Sequence, residues 1–364
     1  MKYLINHNRF KKIKLSENEL TKYIYTKNRI VEFPQYEKNY YNFFNSYAKK
    51  NYRLTKIDCL CNQEDNLTLS EVDRHCVNFI TVICKNCGLI RANNYFRDKD
   101  VKDFYKNFYR TNAYDENYQK RSAAEMFESQ KRSGKFKFDL LNKFSLKQIN
   151  NMKIVDVGGG VGGALDNFND SNEKYLLDYF EPYLNFAETK RIKSIKGGIN
   201  EIEFKPDIII LSHVIEHWNN FENEIQKLIR IQKKNETLNY IEFPGIDSLK
   251  KGRRGGDFLG DLHIPHVYYF SSYVFENLMN RYGFKKIYLD SQIKSIFVYT
   301  GKLEKLVNYF ERCKVDLLEA EKTRKIQILK NIIKLFIPNF IFIFLRKIRN
   351  KKINFWSLTK WLAQ

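Results

Sequence analysis

Gly158, Gly160 and Gly163 fall in the run Val155-Asp156-Val157-Gly158-Gly159-Gly160-Val161-Gly162-Gly163, a Gly-x-Gly-x-x-Gly spacing directly after the short apolar stretch Lys153–Val157. Glycines so placed permit a tight turn and let the backbone approach a ligand, and a helix start behind them favours negative or polar groups. Turns of this kind hold nucleotides. Glu181, 23 residues after Gly158 and read as the end of the second strand, can accept both hydrogen bonds from an adenosine ribose. Asp156 sets a carboxylate just before the turn, where a pyrophosphate would be repelled but an amino group is accommodated. The two acids point to S-adenosylmethionine rather than NAD.

A second constellation consists of thiols. Five of the six cysteines crowd into Cys59–Cys87, and Cys59-Leu60-Cys61 and Cys84-Lys85-Asn86-Cys87 are separated by 22 residues. In a reducing compartment such clustering indicates metal rather than disulfides, and four thiolates from two loops make a closed, structural zinc site.

Methyl transfer to a hydroxyl or an acidic carbon needs a base of near-neutral pKa held close to the acceptor. The stretch Asp257–Ser271 gathers His263, His266, Tyr268 and Tyr269 after Glu242-Phe243-Pro244-Gly245, at the sheet edge where ligands bind in such folds. His266 is the leading candidate for the base and His217 the second.

The elements that must position these residues follow from periodicity. Lys153–Val157, Lys174–Phe180, Asp207–Ser212 and Leu238–Phe243 are strand candidates separated by helical stretches, which implies a parallel sheet with right-handed crossovers. Lys285–Leu289 and Ser295–Tyr299 read as a closing antiparallel hairpin. Five segments result: a basic aromatic extension (1–55), a zinc-binding module (56–100), a helical connector or lid (101–150), the main α/β domain (151–300) and a basic helical tail (301–364). Ser16-Glu17-Asn18-Glu19 has the form of a capping box and marks a helix start in the extension.

Ile154–Gly160, then Phe180-Glu181-Pro182, then Asp207–His217 resemble the motif series of class I S-adenosylmethionine-dependent methyltransferases, over roughly residues 56–300. The resemblance implies a Rossmann-like, mostly parallel sheet with one antiparallel strand. It also implies that Asp156, Gly158 and Gly160 line the methionine end, Glu181 holds the ribose, and Ser212 and His213 border the cofactor. Gly159 stands where the family often has a small residue such as Cys, an exchange expected to be harmless. The Cys pair, Asp73-Arg74, the block Cys84–Ile90 and the aromatic stretch Tyr105–Tyr114 are similar to sugar methyltransferases of deoxysugar and surface-polysaccharide pathways. That similarity implies a sugar-nucleotide or glycan substrate and zinc on Cys59, Cys61, Cys84 and Cys87. Cys-x-Cys replaces the usual Cys-x-x-Cys, which strains one chelate loop and leaves Cys76 or His75 as a substitute ligand. In the related C-methyltransferases a Tyr-His-Glu-His stretch precedes Tyr-Phe-Ser. Here only His266 and Tyr269-Phe270-Ser271 match it.

Charge narrows the partners. Of the net +21, residues 1–55 contribute +8 and residues 301–364 contribute +10, so the catalytic middle is nearly neutral. That layout fits an anionic membrane surface met by residues 322–361 better than a nucleic acid gripped at the active domain. The apolar stretch Ile332–Leu345 is too short to span and is broken by Lys334 and Pro338. The first residues carry no apolar signal region, so a cytoplasmic protein, peripheral at the inner face of the membrane, is expected. Two rival readings are a nucleic-acid methyltransferase, disfavoured because Ser212-His213-Val214-Ile215 lacks a base-flipping tetrapeptide, and a non-catalytic S-adenosylmethionine-binding protein.

Overall fold

The computed structural model describes residues 43–74, 77–105 and 121–336. His75, Cys76, the capping-box segment and the tail beyond Phe336 lie outside the described residues. Among the described residues no helix is long and apolar enough to cross a membrane.

The cysteine-bearing segment folds first as strands. β1 (Leu54–Lys56) pairs antiparallel with β5 (Asn94–Phe96), while β2 (Asn66–Val72), β3 (Asn78–Cys84) and β4 (Ile90–Ala92) form an antiparallel meander. Its fourth strand comes from far along the chain: β11 (Tyr268–Tyr269) pairs with β4, Tyr268 opposite Arg91 and Tyr269 opposite Ile90. The expected boundary near residue 100 is thus bridged by a shared sheet. Helix α1 (Asp98–Phe104) follows, and its Asp100 accepts from the backbone N–H of Arg53 at 2.9 Å.

Helix α2 (Ala123–Phe144) opens with a capping box, the Ser122 hydroxyl accepting from the Glu125 N–H and the Glu125 carboxylate from the Ser122 N–H. The main sheet then runs in the order β12-β13-β10-β9-β6-β7-β8. Its strands are β6 (Lys153–Val157), β7 (Glu173–Asp178), β8 (Lys193–Lys196), β9 (Ile208–Ser212), β10 (Leu238–Glu242), β12 (Phe284–Leu289) and β13 (Lys294–Tyr299). β13 is antiparallel to both neighbours, and the pairs β10–β9, β9–β6, β6–β7 and β7–β8 are parallel. This is the mostly parallel Rossmann-like sheet with one antiparallel strand.

The near-continuous apolar character of β6 and β9 follows from burial on both faces. Val155, Val157, Leu177, Ile209, Leu211 and Ile241 join the core that extends into the cysteine segment. Ile154, Leu176, Ile208, Ile210 and Tyr240 face the other way, into the core shared with α2. Between β7 and β8 lies α3 (Glu181–Glu188), with Pro182 in its first turn. α4 (Phe221–Arg230) is capped by the Asn220 side chain, and α5 (Ser272–Arg281) leads into the hairpin.

The described part of the basic tail is the helix α6 (Phe310–Phe336), and its first half docks on the protein. Cys313 and Leu317 are fully buried, and Lys250 donates to Asp316 at 2.6 Å. A side chain at Gly88 would meet Cys313 Sγ at 2.9 Å. The helix therefore clamps the cysteine segment to the main domain.

Candidate active site and cysteine cluster

Strand order reverses at β6, which has β7 on one side and β9 on the other. In open α/β sheets the crevice at such a switch point is the ligand site. Gly158 and Gly160 lie there with φ of +66° and +63°, backbone that an L side chain rarely adopts. A side chain at Gly160 would also strike Gln130 Nε2 at 2.5 Å. Gly159 has an ordinary φ, but a Cβ there would come within 2.5 Å of the Asp156 carboxylate. Glycine in place of the family's small residue is accommodated here, because Gly159 leaves the room that Asp156 occupies. The helix expected behind the turn is only the 3-10 segment Gly163–Asn167.

Asp156 is 2% exposed, on the α2 side of the sheet, and its Oδ1 has no hydrogen-bond partner. Burial pushes its carboxyl up to about 7, with Lys137 opposing and Asp178 adding to the shift. The unfolded chain loses this proton near pH 4 and the folded chain near 7, so the group lowers stability progressively across that window and fully above it. Asp156→Asn is accordingly expected to stabilise the ligand-free protein by on the order of 3 kcal/mol at pH 8. Urea denaturation at pH 8 and pH 4 measures this, and the gain should vanish at the lower pH.

The end of the second strand is the main correction. β7 ends at Asp178, not at Phe180, and Glu181 is the first residue of α3. Glu181 is 63% exposed and paired with Lys196 at 2.7 Å. Asp178 instead is buried against the glycine turn, its Oδ2 accepting from the Gly160 N–H at 3.3 Å and its Oδ1 from the Phe180 N–H at 2.8 Å. The end of the Tyr175–Leu177 apolar run signals Asp178, but Tyr179-Phe180 extends that run in sequence and hides where the strand stops.

Ser212 and His213 do stand at the same edge, at the end of β9. Lys137, from the middle of α2, donates to Ser212 Oγ at 2.6 Å and to Glu242 at 2.7 Å, and Tyr240 donates to the same carboxylate at 2.6 Å. Burial works against the Glu242 carboxylate, yet Lys137 and Tyr240 hold its pKa below the usual value. Gln130, two turns earlier on the same face of α2, accepts from the Gly163 N–H at 3.1 Å. Lys137 and Gln130 are side chains of an upstream helix whose reach no local spacing reveals. Lys137→Met would leave Glu242 poorly compensated and is expected to cost about 3 kcal/mol. The double variant with Glu242→Gln should recover much of that in a urea-denaturation cycle.

The structure brings His217 and His266 together, with ring centroids 4.8 Å apart and His263 3.9 Å from His266. His217 Nδ1 donates to the Pro265 carbonyl at 2.8 Å. Burial lowers the pKa of both, that of His266 strongly, with the neighbouring His217 and His213 adding to it, so both rings are neutral at pH 7. Each lies about 3.9 Å from the buried Glu216, a carboxylate not singled out in the sequence.

Cys59, Cys61, Cys84 and Cys87 also converge. Their sulfurs lie within 4.8 Å of one another, with Cys59–Cys87 at 3.5 Å, Cys59–Cys61 at 3.4 Å and Cys61–Cys84 at 3.5 Å. None forms a disulfide. Zinc–sulfur bonds of about 2.3 Å set tetrahedral edges of about 3.8 Å, so a zinc-sized ion fits with a small outward shift. The Cys-x-Cys spacing does not keep either thiol out of the cluster.

Residues 127–289 match the family model described as a methyltransferase domain. A comparison with curated proteins gives no match. Among solved structures, a SAM dependent methyltransferase from Aquifex aeolicus is 18% identical, covering 44% of this chain and 87% of that one with a TM-score of 0.33. The plantazolicin methyltransferase in complex with SAH is 16% identical, covering 58% and 86% with a TM-score of 0.37. The matched residues take in α2, the glycine turn, Asp178 and the strands up to β12. Residues 127–289 of the chain are thus a methyltransferase domain, built on this mostly parallel sheet.

Proposed function

We propose that the enzyme methylates a sugar or sugar-derived group in surface-glycan assembly. The observation that carries this reading is the shared sheet. β11 pairs with β4 and so ties the cysteine cluster to the loop that holds His263 and His266, in keeping with the module's resemblance to sugar methyltransferases.

In this reading the bound S-adenosylmethionine supplies an electrophilic methyl group at the β6–β9 crevice. Asp178 takes the ribose hydroxyls in place of Glu181. The turn of Gly158, Gly159 and Gly160 lets the nucleoside approach, and the orphaned carboxylate oxygen of Asp156 receives the amino group at the methionine end. Ser212 and His213 border the crevice. His266, with His217 as the alternative, is the group that takes a proton from the acceptor. Cys59, Cys61, Cys84 and Cys87 hold zinc in a structural role. The tail, residues 322–361, would bring a lipid-linked intermediate into range at the inner face of an anionic membrane, in the cytoplasm.

The test is an incubation of the full chain with S-adenosylmethionine and a panel of nucleotide sugars and lipid-linked glycans, followed by mass spectrometry. A sugar product heavier by one methyl group is expected. Methylation of RNA or DNA and of no sugar would overturn the reading.

A further inference from the structure

Glu216 is 1% exposed, and its Oε2 has no hydrogen-bond partner. Burying a carboxylate costs several kcal/mol unless both its oxygens are partnered, and here only Oε1 has a partner, His213 Nδ1 at 3.2 Å. What surrounds it is a set of nitrogen donors. Oε1 lies 3.2 Å from His213 Nδ1 and 3.9 Å from both His217 Nε2 and His266 Nε2. One ligand atom each from Glu216, His217 and His266 lies within 4.8 Å of the others.

The local fold aims them. His213 leaves the end of β9 in the left-handed region, with φ of +57°, and the 3-10 turn Ile215–His217 then carries Glu216 inward and His217 beside it. His266 arrives on the loop that Val267 fastens by donating its N–H to the Glu216 carbonyl at 2.8 Å. The Pro265 carbonyl can only accept, so its 2.8 Å contact puts the His217 proton on Nδ1. The Nε2 lone pair is left facing the carboxylate. A backbone carbonyl that fixes one ring nitrogen while the other faces an acid is the outer-shell arrangement of metal-binding histidines. With the His217 proton on Nδ1, which the Tyr105 hydroxyl also meets at 3.0 Å, the Nε2 lone pair and the Glu216 carboxylate have no proton between them, and a cation there would take both.

We propose that Glu216, His217 and His266, with His213 on the solvent side, form a binding site for a divalent transition cation. Imidazole donors favour iron, cobalt, nickel, copper and zinc over magnesium and calcium, which take oxygen ligands, and the carboxylate lets manganese bind as the weakest of the first-row series. Two histidines and one carboxylate leave coordination positions open. They open toward solvent, since the His213 side chain is 54% exposed against 14% for His266. The site adjoins the glycine turn: Val214, between His213 and Ile215, lies 3.1 Å from where a Gly158 Cβ would stand. A bound cation takes the lone pairs that His266 and His217 would each use as a base, so with the cation in place neither of them takes the acceptor's proton. The site stands on its donor geometry and does not depend on the acceptor being a sugar.

The full chain, isolated with zinc on its cysteine cluster, is titrated with Mn2+ while the free ion is followed by electron paramagnetic resonance. One Mn2+ per chain should bind, and millimolar Mg2+ should not displace it. Glu216→Gln and His266→Gln should weaken binding at least ~10-fold. His213→Gln, a change at an exposed side chain that does not threaten folding, should weaken it several-fold. Co2+ taken up at this site should give the weak visible bands of nitrogen and oxygen ligands, without the charge-transfer absorption of thiolates. The proposal is overturned if the wild-type chain binds no Mn2+, or if His213→Gln and Glu216→Gln both bind it as the wild type does.

Discussion

Asp178→Ala is expected to abolish the thermal stabilisation that S-adenosylmethionine gives the protein, while Glu181→Ala leaves it intact. Two hydrogen bonds from a ribose diol to a carboxylate are charge-assisted and contribute about 1.5–3 kcal/mol each. Their loss corresponds to an affinity lower by on the order of 100-fold or more. Asp178 also accepts from the Gly160 and Phe180 N–H groups, so the alanine variant loosens the turn itself. Asp178→Asn, which keeps the shape, should lose most of the affinity with less disturbance of the fold. Glu181 pairs with Lys196 in the open, and its removal should leave the ligand-dependent shift in melting temperature unchanged. A comparable loss in both variants would mean that the crevice is wider than Asp178 alone defines.

The second large effect is expected at the cysteine cluster. Cys84 is fully buried at the end of β3, with Cys61 Sγ 3.5 Å away. A structural zinc contributes its binding free energy to folding. Cys84→Ser should therefore release about one zinc per chain and cost more than about 4 kcal/mol, the range that loss of a structural metal produces. Elemental analysis and thermal denaturation measure the two quantities together. The damage should not stay local. β4 is held by β3 and in turn holds β11, so amide exchange should speed up at Tyr268 and Tyr269 as well as in β2–β4. Retained folding with no bound zinc would show instead a cluster of buried thiols that packs without metal.

These expectations separate what the sequence makes legible from what it does not. The glycine turn, the strands β6, β9 and β10 and the closing hairpin are local patterns and fall where periodicity and turn chemistry place them, whereas the half-exposed strand β8 (Lys193–Lys196) carries no such pattern. The four cysteines converge despite their short Cys-x-Cys spacing, two from the loop after β1 and two from the end of β3 and the turn behind it. The second strand ends at Asp178, three residues before Glu181. Strand ends are set by ladder pairing, and Leu177 is the last residue of β7 whose partner, Val157, still belongs to β6. Tyr179 and Phe180 are apolar enough to extend the pattern past that point. Lys137, Gln130 and the shared strand β11 depend on contacts between distant segments. A two-residue strand has no pattern to read, and Glu216 looks like one more surface acid until its burial is known. Each of these belongs to the site, which is assembled from α2, β7, β9, β10 and the loop before β11.

The most direct test of the account is a crystal structure of the full chain with S-adenosylhomocysteine. The nucleoside should lie in the crevice between the carboxyl ends of β6 and β9, with its ribose hydroxyls on Asp178, its amino group toward Asp156, and Glu181 still paired with Lys196. A ribose held by Glu181, or a nucleoside bound away from the Gly158–Gly160 turn, would contradict it.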